Sequence, residues 1–329
     1  MACLEQHFGQ RVLKITAPGG KGRASYRACF ETQSVIVTYR PKINRTRLEA
    51  HVLRALGPHS ADIPKFLGIR DGLLFQSDLG ATRLSQAIQA ADAADRHDLA
   101  AEAVASIFRI HSAARKTDLV SELPHLGATR PWVAAVVDAV DKLAPYLHQQ
   151  VPALDRPALC AALDQPAAQF LKWDCRSGNA SPGADGRVGW FDFEYAGLRH
   201  GAEDFAWLIG DEIWPVAPAA MFEILADAFD PASGHARDAY LDYLALYTTF
   251  HAIQRILLIL AEVKRRGWSS QARAVQYDKV GTHPMLGARL AGTAAFCADR
   301  SRLTRPLVPM LDATARLFAD AMPQPRLAG

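Results

Sequence analysis

Residues 172–204 read KWDCRSGNASPGADGRVGWFDFEYAGLRHGAED. Asp174 and Asn179 stand five residues apart near the head of this stretch, where the composition predicts a tight loop. The turn Ala184-Asp185-Gly186 follows, and then an apolar run, Val188-Gly189-Trp190-Phe191, that ends in Asp192. The pattern predicts strand, turn and strand, with oxygen ligands at both ends. Phosphoryl transfer to a hydroxyl asks for such a set: one carboxylate orients the attacking hydroxyl, and an amide and a second carboxylate hold Mg²⁺ against the phosphates. Mg²⁺ takes hard oxygen ligands and keeps several waters, so two protein ligands plus phosphates satisfy it. Asp174 is therefore the candidate base, and Asn179 and Asp192 are the candidate metal ligands.

Downstream, residues 201–209 (GAEDFAWLI) predict a helix with Asp204 in its first turn. A carboxylate there bonds backbone N–H groups, and bracing of the 172–179 loop is preferred to direct catalysis. Helical periodicity continues over residues 221–229, 237–266 and 305–321, with Gly267 and Trp268 ending the longest segment. His251, Gln254 and Arg255 fall near one helix face, either as the wall of a polar pocket or as a buried network. Asp211 and Glu212 either recognise an amine or a set of hydroxyls, or cap a helix.

Upstream, residues 96–115, 131–147 and 156–171 read as helices, the last feeding the loop; His111 is expected to pack or cap. Nearer the N-terminus the period shortens. Residues 11–16, 28–31, 34–39, 63–68 and 72–75 read as short strands. The glycine turn Pro18-Gly19-Gly20-Lys21-Gly22 lies between the first two, and Ser25 and Arg27 follow it. A glycine turn lets backbone N–H groups approach phosphate, although the spacing also suits a plain hairpin. No Gly-Lys-Ser/Thr follows, so a Walker-type site is excluded. Residues 45–56 (RTRLEAHVLRAL) put Leu48, Val52, Leu53 and Leu56 on one helix face with Glu49 beside them. Glu49 is either a surface charge or the helix partner of a phosphate-positioning cation. Gln76-Ser77-Asp78-Leu79-Gly80 reads as a link whose backbone faces the adenine.

The chain has 329 residues, is 50% hydrophobic and 22% charged, and so is long enough for two lobes with a substantial core. Its 37 basic against 34 acidic side chains leave +3, too little to argue for nucleic acid. The five cysteines are dispersed without metal spacing, which fits reduced thiols and a cytoplasmic protein. The opening residues MACLEQHFGQ lack a signal-peptide pattern, and no apolar run is read as a membrane span.

With these residues in place, the chain resembles the aminoglycoside/choline-type phosphotransferases, a branch of the protein-kinase-like fold. Asp174 and Asn179 match the family's H-x-D-x-x-x-x-N loop, Asp192 its metal-binding aspartate, Asp204 its later structural aspartate and Glu49 its helix glutamate. Within the family, the motifs at residues 22–27, 73–80 and 254–255 look most like bacterial N-acetylmuramate and N-acetylglucosamine kinases. The resemblance implies an α+β, two-lobed fold: a small β-rich nucleotide lobe with one helix over residues 1–77, and a large, mainly helical catalytic and acceptor lobe over 78–329. It implies an ATP- and Mg²⁺-dependent kinase of a small-molecule hydroxyl acceptor, with Gly22, Ser25, Arg27, Glu49, Gln76 and Asp78 toward the nucleotide. Arg176 falls where protein kinases place a lysine, and is expected to grip the transferring phosphate with its planar fork.

Two departures stand out. The family histidine two residues before the base is Lys172. The strand that carries the family's phosphate lysine reads Val35-Ile36-Val37-Thr38-Tyr39, with Val37 or Thr38 in its place. Substitute cations are Arg27, Arg40 and Lys42. These departures leave open a second class of protein, a catalytically weak nucleotide-binding regulator.

Overall fold

The structure is a computed structural model and describes residues 2–20, 22–277 and 279–322. By contact the chain divides into two compact units. The first comprises Met1–Leu126, Ala167–Asp204 and Ala228–Ser233; the second comprises Gly127–Pro166, Phe205–Asp227 and Gly234–Gly329. The sheet of the expected first lobe thus shares a unit with the 172–204 stretch.

The first unit holds a five-stranded antiparallel sheet made of β1 (Lys14–Thr16), β2 (Ser25–Cys29), β3 (Ser34–Tyr39), β4 (Phe66–Arg70) and β5 (Leu73–Ser77), in the order β1-β2-β3-β5-β4. Asp71 and Gly72 close the β4–β5 hairpin with φ of 51° and 77°. Asp-Gly supplies that pair of left-handed conformations at low cost. Alternation splits the sheet into two faces. Ala28, Val35, Val37 and Phe75 pair across strands and form one apolar face, covered by the helix Ala2–Phe8 through Leu4. That helix was not foreseen. Ser25, Arg27, Ile36, Thr38 and Gln76 lie on the opposite face by the same register. The helix Ile43–Leu56 buries Glu49, Val52, Leu53 and Leu56.

The long helix Ala93–Ala114 follows, its N-terminus capped by Asp92, which accepts from Ala94 N and Asp95 N. Two small ladders then present the 172–204 stretch: β6 (Gln169–Leu171) pairs with β9 (Gly197–Arg199), and β7 (Ala180–Pro182) with β8 (Val188–Trp190). The second ladder is the expected strand–turn–strand. The helix expected over residues 156–171 stops at Leu163, and residues 169–171 are strand. Pro166, which has no N–H and crowds the preceding turn, separates the two.

The second unit is helical. Its longest helix, Arg237–Arg266, ends at Gly267, whose φ of 74° suits glycine. By length and composition this helix is apolar enough to cross a membrane, a match that the sequence reading did not anticipate; 67% of its most apolar stretch is buried within the fold, as in a core helix. Its Arg255 makes a buried two-pronged ion pair with Glu212, which also accepts from Gly281 N. Of the three polar residues expected on one face of it, His251 and Arg255 are buried and Gln254 is exposed. Glu212 therefore belongs to a buried network.

Candidate active site

The loop after β6 is held by one carboxylate. Asp204 accepts from Lys172 N at 2.8 Å, from Trp173 N at 2.7 Å and from His111 Nε2 at 3.0 Å. Asp204 thus braces the loop, and His111 serves that brace. Trp173 and Asp174 adopt left-handed backbone, with φ of 59° and 52°. Such a conformation costs a non-glycine residue about 1–2 kcal/mol and persists where its surroundings impose it.

Asp174 is one-fifth exposed. Its Oδ1 accepts from Arg176 Nε at 2.9 Å and its Oδ2 from Asn179 Nδ2 at 2.8 Å. Asn179 also donates to Asp174 O at 3.0 Å, so its Nδ2 serves the loop and its Oδ1 is the atom suited to a cation. A short 3₁₀ turn, Ser177–Asn179, brings Asn179 back under Asp174. Asn179 O then accepts from Phe191 N at 3.0 Å, which ties the start of the β7–β8 ladder to its end. Asp192 comes one residue later with φ 69° and a third of its side chain exposed.

Arg40, one residue past β3, gathers the carboxylates. Its Nη1 pairs with buried Glu49, its Nη2 donates to Asp192 Oδ1 at 2.6 Å and its Nε lies 3.0 Å from Glu194. Burial acts to strip its charge, but the carboxylates of Glu49, Asp192 and Glu194 outweigh it and hold Arg40 firmly protonated. Glu49 also accepts from Phe193 N at 3.1 Å. The cation expected beside Glu49 is therefore Arg40. Glu194 was not singled out from the sequence. Burial, then the charge of Asp192, push its carboxyl up, against Arg40 and Arg45.

Arg27, on β2, meets the link after β5. Its fork meets both oxygens of Asp78, with Nη2–Oδ1 at 2.9 Å, and Nη2 also reaches Gly80 O at 2.6 Å. Asp78 further accepts from Ser34 Oγ and Gly80 N. Arg27 and Asp78 thus brace the 78–80 link through their side chains. Ser25 Oγ is 2.9 Å from Thr38 Oγ1 on the same face. Gly22 sits in left-handed backbone, φ 84°, in the β1–β2 connection, and Lys21 beside it lies outside the described residues. Gln76 is buried, and its Oε1 makes no hydrogen bond among the described residues. An orphaned amide oxygen on that face fits a nucleotide base as its partner. For Mg²⁺, Asn179 and Asp192 offer hard oxygens; among the described residues no group of three or more His, Cys, Asp or Glu forms a metal cage.

The structure thus gathers a loop carboxylate bonded by an arginine and an amide, and an arginine bonded to three carboxylates. Residues 9–246 match the phosphotransferase enzyme family, and the chain belongs to that family. No curated protein matches it. Among solved structures it is similar to wild-type aminoglycoside 2′-phosphotransferase-IIIa in its GDP complex: 13% identity, TM-score 0.56, covering 84% of this chain and 96% of that one. It is also similar to a choline/ethanolamine kinase family protein from Mesorhizobium loti: 14% identity, TM-score 0.53, covering 96% of this chain and all of that one. A third similar structure is the streptomycin-ATP-APH(2″)-IIa ternary complex: 14% identity, TM-score 0.52, 85% of this chain and 94% of that one. The fold is accordingly the α+β kinase-like one, and the chain is a phosphotransferase acting on small-molecule hydroxyls.

Proposed function

We propose that the chain transfers the γ-phosphoryl group of ATP to a hydroxyl of a sugar, amino sugar or amino alcohol in the cytoplasm. The observation that carries this reading is a pair of bonded couples on one stretch: Asn179 on Asp174, and Arg40 on Asp192. Asp174 accepts the proton of the acceptor hydroxyl; the bonds from Arg176 and Asn179 fix its orientation. Mg²⁺ held by Asn179 and Asp192 would neutralise phosphate charge. Arg40, oriented by Glu49, takes the part of the family's strand lysine, and Arg176 lies at the base where the phosphoryl group passes. Positioning and fixed charge supply most of the acceleration.

ATP is the proposed donor, as in the ternary complex of similar fold, and the GDP complex of similar fold makes GTP the donor to compare with it. Among acceptors, the motifs at residues 22–27, 73–80 and 254–255 favour N-acetylated amino sugars. The other reading, a nucleotide-binding regulator, rests on the missing strand lysine and on Lys172; Arg40 beside Glu49 supplies a cation against the first ground, and the retained Asp174, Asn179 and Asp192 weigh against the reading as a whole.

The test is Mg²⁺-dependent ADP release across free sugars, amino sugars, aminoglycosides and choline-like alcohols, with Asp174→Asn as the blank. One acceptor should give a signal that Asp174→Asn lowers by orders of magnitude while nucleotide binding survives. Nucleotide binding with no transfer to any acceptor favours the regulator, and unchanged turnover in Asp174→Asn removes the base.

A further inference from the structure

Lys172 is almost wholly buried, with 1% of its surface exposed, and makes no ion pair among the described residues. Its ammonium instead faces main-chain carbonyls: Asp192 O at 3.1 Å, Trp173 O at 3.4 Å and Asp174 O at 3.4 Å. The ring of Phe193 lies 5.4 Å from the same nitrogen. Five non-glycine residues among those described have left-handed backbone, and Trp173, Asp174 and Asp192 are three of them. The one buried lysine among the described residues thus meets the carbonyls of the three left-handed residues around the candidate base and the candidate metal ligand.

We propose that Lys172 is a positioning residue that locks the base loop to the Asp192 turn. Three N–H donors meet three carbonyls whose directions are set by left-handed φ. If any of the three residues relaxed to ordinary backbone, its carbonyl would swing off the ammonium and its side chain would turn with it. A neutral imidazole at this position has a single N–H donor and cannot hold all three. A buried cation without a carboxylate is expensive to keep, and the carbonyl dipoles together with the face of Phe193 offset that cost. Lys172 therefore couples two segments that lie 18 to 20 residues apart in sequence. The proposal rests on the assignment of Asp174 and Asp192 above, but its first readout does not.

The experiment compares the full-length chain with Lys172→Met, which keeps length and loses charge and donors, by amide hydrogen exchange without nucleotide or metal. Exchange should rise about tenfold together in residues 172–176 and 191–194, while β2, β3 and β5 stay unchanged. Apparent Mg²⁺ affinity and kcat should each fall about 10–100-fold, with the nucleotide KM held within about twofold, a split that a general loss of stability does not produce. Unchanged exchange at 191–194 overturns the proposal. If exchange rises there but Asp174→Asn keeps full turnover, the lock stands and the catalytic assignment falls. If Lys172→Met does not fold, ¹⁵N spectra of the wild-type lysine ammonium groups decide. A slowly exchanging, hydrogen-bonded signal absent from Lys172→His supports the lock, and its absence from the wild type overturns it.

Discussion

Arg40 Nη2 lies 2.6 Å from Asp192 Oδ1, so the candidate phosphate cation and the candidate metal ligand are bonded to one another. The same guanidinium serves Glu49, which is fully buried. On the proposed function, nucleotide binding would share Arg40 between phosphate and a carboxylate that a cation also wants. Arg40→Ala should cost about 3–5 kcal/mol of stability, because it strands a buried charge, and should raise the nucleotide KM at least about tenfold. Arg40→Lys keeps the charge without the fork and should recover part of both. Denaturant titration and steady-state kinetics read the two effects separately; an unchanged nucleotide KM in Arg40→Ala removes Arg40 from phosphate binding.

Asp204 satisfies two loop N–H groups and His111 at once. Asp204→Ala leaves the amides of Lys172 and Trp173 without their acceptor, at about 1–3 kcal/mol each. Asp204→Asn keeps one acceptor oxygen and should cost less. Urea unfolding should rank wild type, Asn variant and Ala variant in that order, and equal stabilities would show that the brace carries little weight.

The Asp78 carboxyl gives a pH signature. Burial pushes its pKa up, but the bonds from Arg27, Ser34 and Gly80 N outweigh burial and set it below 3.8. The folded value is depressed, so the stability contribution is complete above 3.8 and is lost as pH falls through the folded value. Asp78→Asn should therefore be less stable than wild type at neutral pH, with the gap closing in acid below 3.8. Unfolding free energies measured down to about pH 2 test this, and a gap that widens in acid refutes it.

Glu212 and Arg255 form a buried pair in the second unit, with Gly281 N as a further donor to Glu212. Glu212→Ala strands the guanidinium and should cost about 3–5 kcal/mol, whereas Glu212→Gln keeps the Gly281 bond and should cost less. Had Glu212 served only to recognise an acceptor, stability would stay constant and only the acceptor KM would move.

The 172–192 stretch was legible because it is compact: Asp174 and Asn179 need only a turn to meet, and one ladder carries the chain on to Asp192. Arg40 was harder to assign, since two other cations competed and it lies past the end of β3. Its parity was the available signal: two residues after Thr38, it continues the face that carries Ser25 and Gln76. Glu194 lies past the end of β8, where no periodicity announces its contact with Arg40. The pairing of Arg27 with Asp78, 51 positions away, leaves no trace in local sequence, where a basic residue on the nucleotide face looks like a phosphate contact. Lys172 read as an isolated departure because main-chain carbonyls leave no trace in side-chain identity. The strand at 169–171 was lost to a helical pattern whose break, Pro166, was passed over.

The bond from Phe191 N to Asn179 O closes the β7–β8 ladder at its open end, beside the two candidate metal ligands. The far end is the tight turn at residues 183–186, where Gly183 N bonds Arg187 O and Gly186 takes a φ of 80° with open space around it. Separation of Asn179 from Asp192 is thus fixed by the ladder and is independent of how long the connecting turn is. That turn is a natural insertion point: a peptide tag or a fluorescent reporter spliced in there would change the outline of the protein without moving the two ligands apart.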